Sequence, residues 1–159
     1  MADFAEAEGL LSLDTKIGID LASGSTYSYI YSLQQIPDLG DTAASKERVD
    51  VTTLKDAKRR YISGIADEED PGAIDFVFLY DSATYGGLVT AYEDQACKFV
   101  VEFPKEDSTS TAGAKVTFLG TPKFRINSVG VNEPLTFTMS VATEYDTTDH
   151  KVFHYAAEA

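Results

Sequence analysis

Leu135-Thr136-Phe137-Thr138-Met139-Ser140-Val141-Ala142 alternates without a break between large apolar and small residues. A period of two is the signature of a β-strand with its two faces in different surroundings. Leu135, Phe137, Met139 and Val141 are expected to face a core, and Thr136, Thr138 and Ser140 to face outward. Upstream, Asn132-Glu133-Pro134 reads as a turn. Before it, Phe124 to Val131 alternates less strictly, and Val116 to Leu119 reads as another strand, broken by Gly120-Thr121-Pro122.

The same period continues toward the N-terminus. Phe99, Val101 and Phe103 share one face of a strand over 98–103, which Pro104 ends. The Ser/Thr-rich run Lys105 to Thr111 is a loop tip. Ile74 to Tyr80 is apolar on both faces, which predicts a strand covered on both sides. After Asp81-Ser82, an N-cap signal, the period changes: Tyr85, Leu88, Val89 and Tyr92 make one helical stripe. Gly86 and Gly87 weaken that helix. Tyr27, Tyr29, Tyr31 and Leu33 alternate as an aromatic strand. These elements predict a mainly β fold, an antiparallel β-sandwich of six to seven strands with one flanking α-helix and a long inter-strand loop. Residues 1–24 read as an N-terminal arm, 25–146 as the domain, and 147–159 as a C-terminal tail.

Length and charge narrow the function. The 159 residues suit one domain with a core of its own. Against 13 Lys and Arg stand 26 Asp and Glu, a net charge of -13. That balance disfavours tight binding to phosphate backbones and to anionic membrane surfaces. The start, Met1 to Glu8, is acidic where a secretory leader needs a basic flank. No apolar run has the length of a membrane helix. The single Cys97 reads as a buried structural thiol made in a reducing cytoplasm.

A search for chemistry returns no catalytic set. His150 and His154 have the spacing of a helical metal pair, but their segment lacks helical period and accompanying ligands. Asp67 to Asp70 lacks the ordered spacing of a calcium loop. Gly18 to Gly24 has neither the glycines nor the lysine of a phosphate loop. Asp14, Asp20 and Asp38 show no acid–base pairing. The expectation is a protein that is not an enzyme and uses no cofactor or metal. The one basic cluster, Lys55, Lys58, Arg59 and Arg60, is suited to pairing with an acidic neighbour. Tyr27, Tyr29, Tyr31 and Tyr85 offer an alternative, an aromatic platform for sugars in a carbohydrate-binding or adhesive module.

Three strings in order, Ile36-Pro37-Asp38-Leu39-Gly40, Val49-Asp50-Val51-Thr52-Thr53-Leu54 and Arg60-Tyr61-Ile62-Ser63-Gly64-Ile65, precede the strand at Ile74, the helix around Leu88 and the closing strand at Leu135. From Tyr29 to Thr143 this arrangement resembles the tail tube (major tail) proteins of long-tailed, non-contractile phages. The arm, the tail and the loop from Lys105 to Gly113 depart from that pattern. The resemblance implies a virion subunit, assembled in the host cytoplasm, that closes into homo-hexameric rings stacked as a hollow tube. It implies tail tip, tape measure and tail terminator proteins as partners, and DNA passing without tight binding. The excursion between the Val49 strand and the Ile74 strand would join subunits through Leu54, Lys55, Lys58, Arg59, Arg60, Tyr61, Ile62 and Ile65. Asp50, Thr52, Thr136, Thr138 and Ser140 are the candidates to face the lumen, which an acidic lining would make repellent to phosphate.

Overall fold

A computed structural model describes residues 14–41, 46–50, 52–53, 58, 61–66, 72–149 and 151–158, with 46–50 and 61–66 described by their backbone alone. The chain runs β1 (Lys16–Leu21), β2 (Ser28–Ile30), β3 (Leu33–Gln35), β4 (Lys46–Asp50), β5 (Tyr61–Ala66), β6 (Ala73–Leu79), α1 (Ser82–Tyr92), β7 (Cys97–Glu102), β8 (Lys115–Ile126), β9 (Thr136–Glu144) and β10 (His154–Ala156). Eight strands make one antiparallel sheet in the order β2-β1-β7-β8-β9-β6-β3, with β10 also on β8. The strands β4 and β5 form a separate two-stranded ribbon.

The sheet curls because its two ends are consecutive in sequence. Ile30 of β2 pairs with Ile17 of β1, while Leu33 of β3 pairs with Phe78 of β6 at the opposite edge. The Ser32 carbonyl between them already accepts the Leu79 N–H at 3.0 Å. Three residues span at most about 11 Å, so β1 and β6 must approach each other at this corner. The result is a half-barrel whose opposing walls enclose the core, the mainly β, one-helix architecture expected from the alternation.

That core is aromatic. Phe118 stacks on Phe99 at 5.0 Å between ring centres and on Phe76 at 5.9 Å, and tilts against Phe153 at 5.4 Å. Phe78 stacks on Phe137, whose other neighbour is the edge-on ring of Tyr85. Ile17, Ile19, Val101, Met139 and Val141 fill the rest, all fully buried. Asp81 caps α1 by accepting the Thr84 N–H at 3.1 Å, and the helix buries Leu88 against the core. The thiol of Cys97 is buried, with the Tyr92 carbonyl 3.8 Å away.

Several expectations change. Gly120-Thr121-Pro122 does not break the strand: β8 runs through it for 12 residues. The ladder with β7 ends at Gly120, and the Pro122 carbonyl beyond it accepts the Asp94 N–H. The proline nitrogen lies on that same edge, where no strand requires its missing proton. Gly120 serves close packing, since a Cβ there would sit 2.5 Å from Val141 Cγ1 and 2.7 Å from the Ala142 carbonyl. Residues 16–21, read as part of an arm, are instead β1, paired with both β2 and β7. The tail likewise supplies a strand, β10, on β8. β10, at three residues, is too short to reveal a period, whereas β1 does alternate, with Ile17, Ile19 and Leu21 on one face, and only its pairing separates it from the aperiodic residues around it. The aromatic strand divides into β2 and β3, and it is Ile30 that enters the core while Tyr31 is 73% exposed. Leu135 precedes β9 and is exposed, unlike Phe137, Met139 and Val141.

Candidate assembly surface

Directly opposed residues of antiparallel strands share a face, so the register defines the outer surface of the half-barrel. Thr138 lies between Arg125 of β8 and Val77 of β6, and Ser140 lies between Lys123 and Asp75. Thr136 faces Leu79 across the other pair. This outer face of β8, β9 and β6 therefore gathers Thr136, Thr138 and Ser140 with Lys123, Arg125, Asp75, Val77 and Leu79. Asp75 and Leu79 are exposed, so in the single chain β6 is covered on one side and open on the other. The second face that predicted a doubly buried strand is only partly covered, with Val77 half-buried and Leu79 exposed.

Hydroxyls on this face are ordered by one amide. Asn127 donates to Thr136 Oγ1 at 3.0 Å and accepts the Thr138 hydroxyl at 2.8 Å. Thr138 is accordingly buried, at 3% exposure, while Thr136 and Ser140 are half-buried. The cations have carboxylate partners, Arg125 with Asp75 at 3.6 Å and Lys123 with Asp94 at 3.9 Å. Such exposed pairs add little stability, but they balance the local charge. This face is mixed in charge, not acidic. Lys123 is hidden in the sequence by the apparent break at Gly120-Thr121-Pro122, whereas Arg125, Asn127 and Asp75 join β9 only through register and side-chain hydrogen bonds. The alternation of β8 becomes legible only when the strand is read through it.

The excursion is partly described. The segment 46–66 contains the ribbon of β4 and β5, with Val49 opposite Ile62 and Asp50 opposite Tyr61. Tyr61, Ile62 and Ile65 thus lie on a strand where a loop was expected. Thr52 and Lys58 are exposed, while Leu54, Lys55, Arg59 and Arg60 lie outside the described residues, as does the acidic run at 67–70. The orientation of the Asp50 side chain is likewise not described.

The proposed sugar platform is divided between two places. Tyr29 and Tyr31 are neighbours at 6.5 Å, with the Lys16 ammonium 4.4 Å from the Tyr29 ring centre. Tyr85 instead turns into the aromatic core against Phe124 and Phe137. Asp20 is buried beside Lys98, their charged atoms 3.7 Å apart, and the lysine also donates to the Gly24 carbonyl at 2.6 Å. Through that bond the pair fastens the turn after β1, and the turn packs so closely that a Cβ on Gly24 would overlap the Asp20 carboxylate.

No protein-family model matches the sequence, and no relative is found among curated proteins. Among solved structures, the chain is similar to a chain of the anti-feeding prophage (AFP) baseplate, determined by cryo-EM with six-fold symmetrisation. The likeness covers 96% of this chain and 98% of that one, with a TM-score of 0.60 and 10% identity. The two chains share a fold over nearly their whole lengths. At that identity the likeness concerns the fold alone.

Proposed function

We propose that this protein is a structural subunit of a phage-type tail, one that closes into hexameric rings stacked as a tube for DNA. The observation that carries this reading is the open outer face of β8, β9 and β6. It is a broad sheet surface of hydroxyls, balanced charges and exposed Leu79, on a chain whose fold matches a baseplate chain end to end. Side-by-side association of such sheets would satisfy exposed edges and make the outer faces of neighbours continuous. In a ring, Thr136, Ser140, Lys123 and Arg125 would line the lumen, with Asp75 holding Arg125 back from passing phosphates.

The ribbon supports the same reading. A two-stranded hairpin is marginal in water on its own. Docked on the next subunit, β4 and β5 would gain the apolar burial that an isolated ribbon lacks. Negative-stain microscopy and sedimentation of concentrated protein test this directly, with six-fold rings or tubes as the expected result. A chain that stays monomeric at every concentration, even with tail tip proteins added, would overturn the reading.

A further inference from the structure

The link from β9 to β10 brings three potential ligand atoms together. His154 Nε2 lies 2.8 Å from Asp149 Oδ2 and 3.7 Å from Asp146 Oδ2, and all three donors lie within 4.8 Å of one another. We propose that Asp146, Asp149 and His154 form a binding site for a divalent transition metal, zinc being the best match. The proposal is independent of the assembly reading, since it concerns a fold-back within one chain.

The donor set decides the class of metal. Two carboxylates alone would suit calcium or magnesium, whereas an imidazole beside them favours zinc and its neighbours. Zinc ligands lie about 2.0–2.2 Å from the metal, which sets ligand atoms roughly 3.2–3.6 Å apart in a tetrahedron. The present separations bracket that range, so small side-chain rotations complete the geometry.

The aspartates are held for this purpose. Asp146 Oδ1 accepts the Thr148 N–H at 2.8 Å, and Asp149 Oδ1 accepts the Lys151 N–H at 3.0 Å. Each carboxylate thus spends one oxygen on the backbone and turns the other toward His154, as outer hydrogen bonds do around metal ligands. The Asp146 N–H donates to the Lys151 carbonyl at 2.9 Å, closing the turn that brings the two carboxylates together. The imidazole comes from a different element, the first residue of β10, whose carbonyl accepts from the Thr117 hydroxyl. Asp146 and His154 also line an open cleft of about 310 Å³ with Glu144, Lys98 and Thr117, which leaves access for water as a further ligand. The spacing expected of a metal pair, His150 with His154, is replaced by one histidine and two aspartates. His150 lies outside the described residues.

The site would staple β10 to the turn that precedes it. Its test is titration of the full chain, freed of metal with a chelator, with zinc chloride by calorimetry and with cobalt(II) by visible absorption. One ion per chain is expected, with a cobalt spectrum of low coordination number and a melting temperature that rises with zinc. Losing an outer-shell partner costs about 10–100-fold in affinity, so His154→Gln is expected to cost at least about 100-fold. Asp149→Asn should weaken binding strongly as well, and it keeps the site testable if His154→Gln loosens β10. His150→Gln and Asp107→Asn are controls that should bind as the parent does. Binding lost with His150→Gln, or unchanged in both His154→Gln and Asp149→Asn, or absent from the parent, would overturn the proposal.

Discussion

The Asp41 carboxylate accepts the backbone N–H of Val152 at 3.0 Å and that of Phe153 at 3.4 Å, across more than a hundred residues of sequence. This contact pins the segment before β10 to the segment after β3. It also places Phe153 against Phe118 in the core. Asp41→Ala is expected to leave the sheet intact and to release the C-terminal strand, at a local cost of about 1 kcal/mol. Hydrogen exchange should show faster exchange at 152–156 with little change in β7 to β9.

Gly86 and Gly87 lie inside α1 with open space where a Cβ would stand. Gly86→Ala and Gly87→Ala should each stabilise the protein, by roughly 0.5–1 kcal/mol, because alanine lowers the entropy lost on forming the helix. Urea unfolding would register a higher midpoint at an unchanged slope.

Gly120 behaves in the opposite way. Gly120→Ala would push a methyl into Val141 and the Ala142 carbonyl, where backbone on the neighbouring strand cannot yield cheaply. A loss of about 1–3 kcal/mol is expected, as for overpacking elsewhere. Phe118→Ala removes the ring that Phe76, Phe99 and Phe153 share, and should cost about 3–5 kcal/mol. Both effects are read from denaturation midpoints.

Burial, with a smaller contribution from the Asp20 charge, pushes the Cys97 thiol up from 9.0 to about 11. The fold therefore favours the neutral thiol. That contribution is fully present below pH 9.0 and is lost as pH rises toward 11, because the unfolded chain ionises first. Stability should fall above about pH 9, and native Cys97 should resist alkylation at neutral pH. Tyr27 and Tyr29, raised chiefly by their own burial, act in the same direction at higher pH. The part of the fall that disappears in Cys97→Ala belongs to the thiol.

Removal of residues 55–69 deletes β5 and leaves β4 without its partner, while the eight-stranded sheet and its core are untouched. On the proposed function, this variant should keep a cooperative thermal transition and lose the ability to form rings or tubes. Circular dichroism and microscopy check the two halves of that expectation. A variant that polymerised like the parent would remove the ribbon from the interface.

Local pattern carried much of the architecture. The alternation of Phe137, Met139 and Val141, of Phe99 and Val101, and of Phe76 and Phe78 is visible because one face of each strand packs into the core, even where Val100 and Thr138 are buried on the other. The helix was legible from Asp81, Leu88 and the change of period. β10 was not, since His154–Ala156 is a strand only by virtue of the neighbour it pairs with, and the alternation of Ile17, Ile19 and Leu21 in β1 is masked by the aperiodic apolar residues Leu10, Leu11 and Leu13 before it. Pro122 misled for a related reason: a proline disrupts a ladder only where its nitrogen has a partner to lose. The assembly face was half-legible. Thr136, Thr138 and Ser140 follow from the period of β9, whereas Lys123, Arg125 and Asp75 join them only through register.

The sequence by itself determined a mainly β chain with one helix and a net charge of -13, because periodicity and composition are properties of neighbouring residues. Tertiary structure decided which edges meet. It curled the sheet through the short step from Ile30 to Leu33, exposed the second face of β6, hid Thr138 beneath Asn127, and set His154 between two aspartates. The curl and the open face of β6 depend on pairings between residues far apart in the chain, and the two side-chain contacts depend on how the turns beside β9 and β10 fold back; local alternation records neither.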